Sequence, residues 1–169
     1  MIEDLRLRAA MTSDIERVRQ IERASASRFL GTARAALADD EPTDAETLAR
    51  RIAGGGLLIA EAGGEAVAFV MFREVEGCGY IEQIDVLPSH ARRGIGARLI
   101  EAVAEVARAR GWPALTLSTF TDVPFNAPYY RRLGFADVEV LTPGMAAIRA
   151  EHEARGLDER ARVFMRRAV

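Results

Sequence analysis

Apolar residues follow two rhythms along this chain. In Leu5-Arg6-Leu7-Arg8-Ala9 and in Tyr80-Ile81-Glu82-Gln83-Ile84-Asp85-Val86 they alternate with polar ones, the period of a half-buried strand. Three denser apolar runs of strand length, at 57–62, 66–72 and 114–120, add further strands. Elsewhere a spacing of three and four predicts helices. Ile15, Val18 and Ile21 share one face of a helix from about Asp14 to Arg28, capped by Thr12 or Ser13, and the stretch from Arg98 to Ala107 makes another. Thr43, with Glu46 at capping-box spacing, opens a helix that stops at Gly54-Gly55-Gly56. Pro128 fits only a first helical turn, so Asn126 caps a short helix closed by Gly134. Residues 136–141 predict a strand, Met145 to Arg155 a helix ended by Gly156, and Arg162 to Arg166 a last strand.

Connections between these elements order them. Gly63-Gly64 is a hairpin signal, and Glu76-Gly77-Cys78-Gly79 reads as a second turn, so the strands around them are antiparallel neighbours. A helix separates the Tyr80 strand from the Ala114 strand, and Gly111 with Pro113 marks its end, so those two strands run parallel. The expected fold is α/β of the α+β kind: a mixed, mostly antiparallel sheet flanked by helices, in one domain spanning 1–169. A helix precedes the triple glycine and a strand follows it, so it punctuates and is not a phosphate loop. From Phe29 to Glu41 the periodicity weakens.

Composition narrows the chemistry. With 49% hydrophobic and 28% charged residues the 169-residue chain is of the globular type, and no apolar run approaches the ~20 residues of a membrane span. The stretch from Met1 to Arg6 lacks the plan of a signal peptide, which makes the cytoplasm the expected location. A single cysteine, Cys78, leaves no intrachain disulfide, and the two histidines, His90 and His152, lack metal-ligand spacing, so no metal is expected. A net charge of -2 argues against nucleic acid as a partner.

The strongest chemical signal follows the Tyr80 strand. Leu87-Pro88 ends that strand, and Arg92-Arg93-Gly94-Ile95-Gly96-Ala97 leads into the long helix. Glycines at a helix start let the backbone approach a ligand, and the unpaired first-turn amides then favour phosphate. A Walker loop is absent, and a dinucleotide fingerprint fails because Leu99 stands where its third glycine belongs. The run Val86-Leu87-Pro88, then Arg93-Gly94-Ile95-Gly96, resembles the acyl-CoA loop of the GCN5-related N-acetyltransferase (GNAT) superfamily, although its leading Gln or Arg is Ala91 here. Asn126 through Phe135, with Tyr130 four before Gly134, resembles the second signature of that superfamily. The likeness covers about Leu57 to Phe135.

The resemblance implies a fold with splayed central parallel strands and an enzyme that moves an acetyl group from acetyl-CoA to a primary amine; the helix from Met145 to Arg155, able to close a groove, favours a small molecule as acceptor. It implies roles as well. Arg92, Arg93, Gly94, Ile95, Gly96 and Ala97 would hold the pyrophosphate, and the amides of Ile84, Asp85 and Val86 the thioester and pantetheine arm. Asn126 would bond the arm or cap its helix, and Tyr130 would protonate the leaving thiolate. Glu82 is the preferred base, with Asp85 behind it on the opposite strand face. Acceptor recognition is expected in the stretch from Ser25 to Glu41, with help from the C-terminal helix, with Phe29 as a wall and Asp39, Asp40 and Glu41 drawing an ammonium. A protein or peptide acetyltransferase and a non-catalytic acetyl-CoA sensor are the alternatives; membranes are not expected as partners, and a homodimer stays open.

Overall fold

A computed structural model describes residues 4–169, so Met1–Glu3 of the stretch read for a signal peptide lie outside the described residues. The strands are β1 (Arg6–Ala9), β2 (Leu57–Ala62), β3 (Glu65–Val75), β4 (Cys78–Val86), β5 (Ala114–Phe120), β6 (Ala136–Asp137) and β7 (Arg162–Ala168). The helices are α1 (Ile15–Ser25), α2 (Ala45–Ala53), α3 (Ile95–Arg110), α4 (Ala127–Arg132) and α5 (Pro143–Ala154). The strands form one sheet in the order β1-β2-β3-β4-β5-β7-β6. β1/β2, β2/β3, β5/β7 and β6/β7 pair antiparallel, and the α3 crossover makes β4 and β5 the parallel pair, as the sequence predicts. Two compact units are distinguishable: the chain up to Arg73 with Ile81–Glu105, and Glu74–Tyr80 with Val106–Val169.

In the first unit, Val18 and Ile21 of α1 and Leu48 of α2 pack on Leu57, Ile59 and Phe69 of the sheet. Its capping differs from the expectation at both helices. Neither Thr12 nor Ser13 caps α1; a 3-10 turn, Thr12–Asp14, intervenes, and the Asp14 carboxylate accepts from the Met11 amide at 2.7 Å and from Arg8 at 2.8 Å. At α2 the cap is Asp44, which accepts from the Thr47 amide at 2.8 Å, while the amide and hydroxyl of Thr43 go to Glu22. At α2 a carboxylate takes the place of the neighbouring hydroxyl as the capping acceptor, whereas no side chain caps α1. Gly56 carries the reason for the third glycine: a Cβ there would lie 2.2 Å from the Phe72 carbonyl oxygen. The Gly63-Gly64 hairpin has both φ values positive, +58° and +82°, as a type I′ turn requires.

The second unit is built on β5 and β7, in register from Ala114 opposite Ala168 to Phe120 opposite Arg162. Cys78 opens β4 and is not part of the preceding turn, whose positive-φ residues are Glu76 and Gly77. Gly79 leaves room for Trp112 and Leu115, each 3.0 Å from where a Cβ would stand. Gly111, at φ +74°, stops α3 while the Trp112 amide reaches back to the Ala107 carbonyl, the glycine C-cap that the sequence predicts. The strand expected over 136–141 is cut to Ala136–Asp137: Val138 adds one bond to Phe164, and the chain then leaves β7 to reach the cap of α5 at Thr142, with Val140 83% exposed.

Candidate functional site

The start of α3 is open and basic. The first intrahelical bond runs from the Arg98 amide to the Gly94 carbonyl at 3.1 Å, which makes Gly94 the cap and leaves the amides of Ile95, Gly96 and Ala97 without intrahelical acceptors. No acid stands in this first turn. Gly94 has φ +78°, and Arg92 before it has φ +61°, a conformation that side chains other than those of glycine rarely adopt. The side chains of Arg92 and Arg93 are exposed, as is that of Arg98, a third arginine that the motif does not include. Ile95 is 1% exposed and anchors the helix start in the core while its amide belongs to the open turn. Such a start suits an anion.

The carboxyl half of β4 carries a network of charges. Glu82 accepts at Oε1 from Arg51 Nε, 2.8 Å away, and from Arg73 Nε at the same distance. Arg51 Nη2 also lies 2.8 Å from the same oxygen. Asp85, 2% exposed, accepts at Oδ1 from Ser25 Oγ at 2.5 Å and Arg28 Nη1 at 2.6 Å, and at Oδ2 from Gln83 Nε2 at 2.5 Å. Strict alternation would put these two acids on opposite faces. Helical partners nevertheless reach both: Arg51 of α2 bonds Glu82, and Ser25 at the end of α1 with Arg28 just beyond it bonds Asp85, and α1 and α2 pack on one another.

Four residues of this network gave no motif: Ser25, Arg28, Arg51 and Arg73 matter only because the fold brings them to β4. Glu22 is a fifth. Both of its oxygens accept from Thr43, and burial, with a smaller contribution from the charge of Asp85, raises its pKa above the usual carboxyl value. Asp39, Asp40 and Glu41, expected to draw an ammonium, lie exposed at and just beyond the end of a 3-10 helix, Ala35–Asp39, whereas Arg28 of the same stretch reaches β4.

In the second unit, Tyr130 sits on α4, which Gly134 closes at φ +90°, with the amides of Leu133 and Phe135 both bonded to the Tyr130 carbonyl. The Tyr-x-x-x-Gly-Phe spacing is therefore a glycine-capped helix end. The Tyr130 ring is 8% exposed and meets Phe135 and Tyr129 edge-on, with centroids 5.9 Å and 5.4 Å away. Burial raises the pKa of the Tyr129 phenol. Asn126 marks the start of α4 with its carbonyl, which accepts from the Tyr130 amide at 3.0 Å, but its side chain makes no capping bond. Of its two expected uses, the cap is thus carried by the backbone alone. Among the described residues no group of three His, Cys, Asp or Glu could hold a metal ion, and no helix is long and apolar enough to cross a membrane.

Comparison with known proteins agrees with this geometry. The family model of the Acetyltransferase (GNAT) family matches residues 15–135. The PaiA N-acetyltransferase of Thermoplasma acidophilum, solved in complex with coenzyme A, superposes with a TM-score of 0.72 at 13% identity, over 99% of this chain and 100% of that one. N-acetylglutamate synthase of Neisseria gonorrhoeae, complexed with coenzyme A and N-acetyl-glutamate, gives 0.73 at 19% identity over 98% of this chain, which spans about a third (35%) of that protein. The ribosomal-protein-S18-alanine N-acetyltransferase of Escherichia coli gives 0.66 at 18% identity, covering 98% of this chain and 94% of that one.

Proposed function

From the premise that the chain belongs to the Acetyltransferase (GNAT) family, we propose that it is an N-acetyltransferase moving the acetyl group of acetyl-CoA to a primary amine of a small molecule. The observation that carries this reading is the start of α3, where three first-turn amides meet Arg92 and Arg93 and no acid. That donor set fits a pyrophosphate in charge and in geometry. Acetyl-CoA, when bound, supplies an acetyl group activated as a thioester. In the balanced reaction an N–C bond forms and the C–S bond breaks; the ammonium of the acceptor loses two protons, one of which ends on sulfur.

The residues divide this work. Amides of Ile84, Asp85 and Val86 donate to the thioester oxygen and the pantetheine arm, where preorganised donors act on developing negative charge. The Asn126 side chain, free of any capping duty, bonds the arm. The Tyr130 hydroxyl gives its proton to the sulfur. Glu82, held by Arg51 and Arg73, takes a proton from the acceptor through a water.

The test is thiol release from acetyl-CoA over a panel of amines, with Tyr130→Phe beside the parent. The chain has no lysine, since all 23 residues counted as Lys+Arg are arginines, so no side-chain amine of its own competes with the added acceptor. The phenylalanine keeps the ring packing, so acetyl-CoA affinity should hold while kcat falls by roughly 10² or more, the usual worth of a positioned acid. Unchanged turnover in the variant would assign Tyr130 to packing. A parent that binds acetyl-CoA and acetylates nothing would leave the sensor reading.

A further inference from the structure

The charges along β4 are layered. Asp85 is 2% exposed and Glu82 15%, while the side chains of Arg28 and Arg73, which pair with them, are each 34% exposed and that of Arg51 is 22%. Two carboxylates therefore lie beneath three guanidiniums, and the outward layer is cationic. Glu22, the remaining acid at this place, turns both oxygens to Thr43. An acceptor bearing only ammonium groups would meet like charge at this layer; one that also bears a carboxylate would meet its complement.

Arg28 is the best-prepared of the three. Its Nη1 donates to Ser25 Oγ at 2.9 Å and to Asp85 at 2.6 Å, and its guanidinium carbon stands 5.0 Å from the centroid of the Phe29 ring. A buried acid, a hydroxyl and an aromatic face thus fix a planar fork of N–H donors beside Asp85. A fork held in place loses little further freedom on receiving a carboxylate, and guanidinium matches that group with two parallel bonds.

We propose that the acceptor amine carries a carboxylate of its own, as an amino acid does, and that Arg28 binds this carboxylate beside the end of β4. The inference rests on the acetyl transfer proposed above and names the acceptor class. In an amino acid the two charged groups are a few bonds apart, so a carboxylate on Arg28 leaves the amine near Ile84–Val86. Polyamines and aminoglycosides are then poor acceptors.

The experiment compares matched acceptors: L-amino acids, their carboxamides, the corresponding decarboxylated amines, and spermidine, by thiol release from acetyl-CoA. Thermal shifts of the protein with coenzyme A and the same compounds run beside it. The acids should exceed their carboxamides in kcat/KM by about 10-fold or more, the scale of one charged hydrogen-bonded pair. Arg28→Lys keeps a cation against Asp85 and loses the fork, so it should raise KM for the acids by about 10-fold, with the carboxamides and the acetyl-CoA thermal shift unchanged. Carboxamides, simple amines or spermidine used as well as the acids would overturn the proposal. An equal loss for acids and carboxamides in Arg28→Lys would also overturn it, by making Arg28 structural. If acetyl-CoA raises Tm and no amine is acetylated, the transfer reading fails by itself, and the shifts decide recognition: larger for acids supports it, equal shifts overturn it.

Discussion

Helices α3 and α5 begin with the same electrostatic problem and solve it in opposite ways. At α5 the protein fills the turn itself. Glu76 Oε1 accepts from the Gly144 amide at 2.8 Å, its Oε2 accepts from the Thr142 hydroxyl, and Thr142 Oγ1 accepts in turn from the Met145 amide. At α3 the residues around the turn are arginines and glycines, with no acid to play the part of Glu76. A carboxylate from the chain fills one helix start, and the other is left basic, which suits an anion from outside. The contrast teaches that a helix start becomes informative about function when the chain withholds its own anion from it.

The largest effect expected from this contrast comes from giving α3 the acid it lacks. Gly96→Glu places a carboxylate at the second residue of the helix, where it suits the macrodipole and replaces a poor helix former. The unliganded variant should therefore melt no lower than the parent. Its acetyl-CoA affinity should fall by about 10² or more, because like charges brought together cost several kcal/mol. Loss of the ligand-dependent rise in Tm, with the unliganded Tm kept, is the result to look for. Undiminished binding would detach the pyrophosphate from α3.

The reverse change, Glu76→Gln, removes the internal anion from α5. It should lower Tm modestly and leave the acetyl-CoA thermal shift as it was. The Thr142 hydroxyl and then the Gly144 amide hold the Glu76 pKa below the ordinary carboxyl value of 4.5. Its contribution is therefore present above that value and lost as pH falls through the depressed one. The gap in Tm between parent and variant should be open at neutral pH and close in acid.

The same contrast explains what could be read from the letters. Glycine placement, apolar period and the two motifs are local, and they located α3, α4, β5 and the strand order near β4. Capping went astray where acceptors compete: at α2 the carboxylate of Asp44, one position along, took the place of the Thr43 hydroxyl, and at α1 the Asp14 carboxylate turns to Arg8 and the Met11 amide so that no side chain caps the helix. The arginine and carboxylate layer along β4 was illegible for a different reason. Arg28 and Asp85 are 57 positions apart and Arg51 and Glu82 are 31, so their pairing exists only once α1 and α2 are laid against the sheet. The acids at 39–41, conspicuous in sequence, are exposed.

A smaller difference between the units lies in their buried titratable groups. In the second unit His152 Nδ1 meets Glu159 Oε1 at 2.6 Å, yet burial, followed by the charge of Arg162, outweighs Glu159 and lowers the His152 pKa below 6.5. The unfolded chain then binds the proton more readily than the folded one. Stability is full above 6.5 and is lost as pH falls through the depressed value. Hydrogen exchange at α5 should quicken from pH 7.5 to 5.5 after correction for the intrinsic rate, and His152→Gln should flatten that trend. Slower exchange in acid would instead mean that a charged pair with Glu159 forms.

Glu22 should give the smallest effect and the opposite sign. Burial leads the rise in its pKa above 4.5, while the amide and hydroxyl of Thr43 partly offset it. Here the folded chain is the better proton binder, so the contribution of Glu22 is fully present below 4.5 and is lost as pH rises through the raised value. Glu22→Gln keeps one oxygen for the Thr43 amide and cannot ionise. It should melt slightly below the parent near pH 4, where the parent carboxyl is protonated and makes both contacts, and at or above the parent near pH 8. A variant that loses stability at pH 8 would show that the ionised carboxylate is what Thr43 needs, and the first unit would then weaken in acid as the second does.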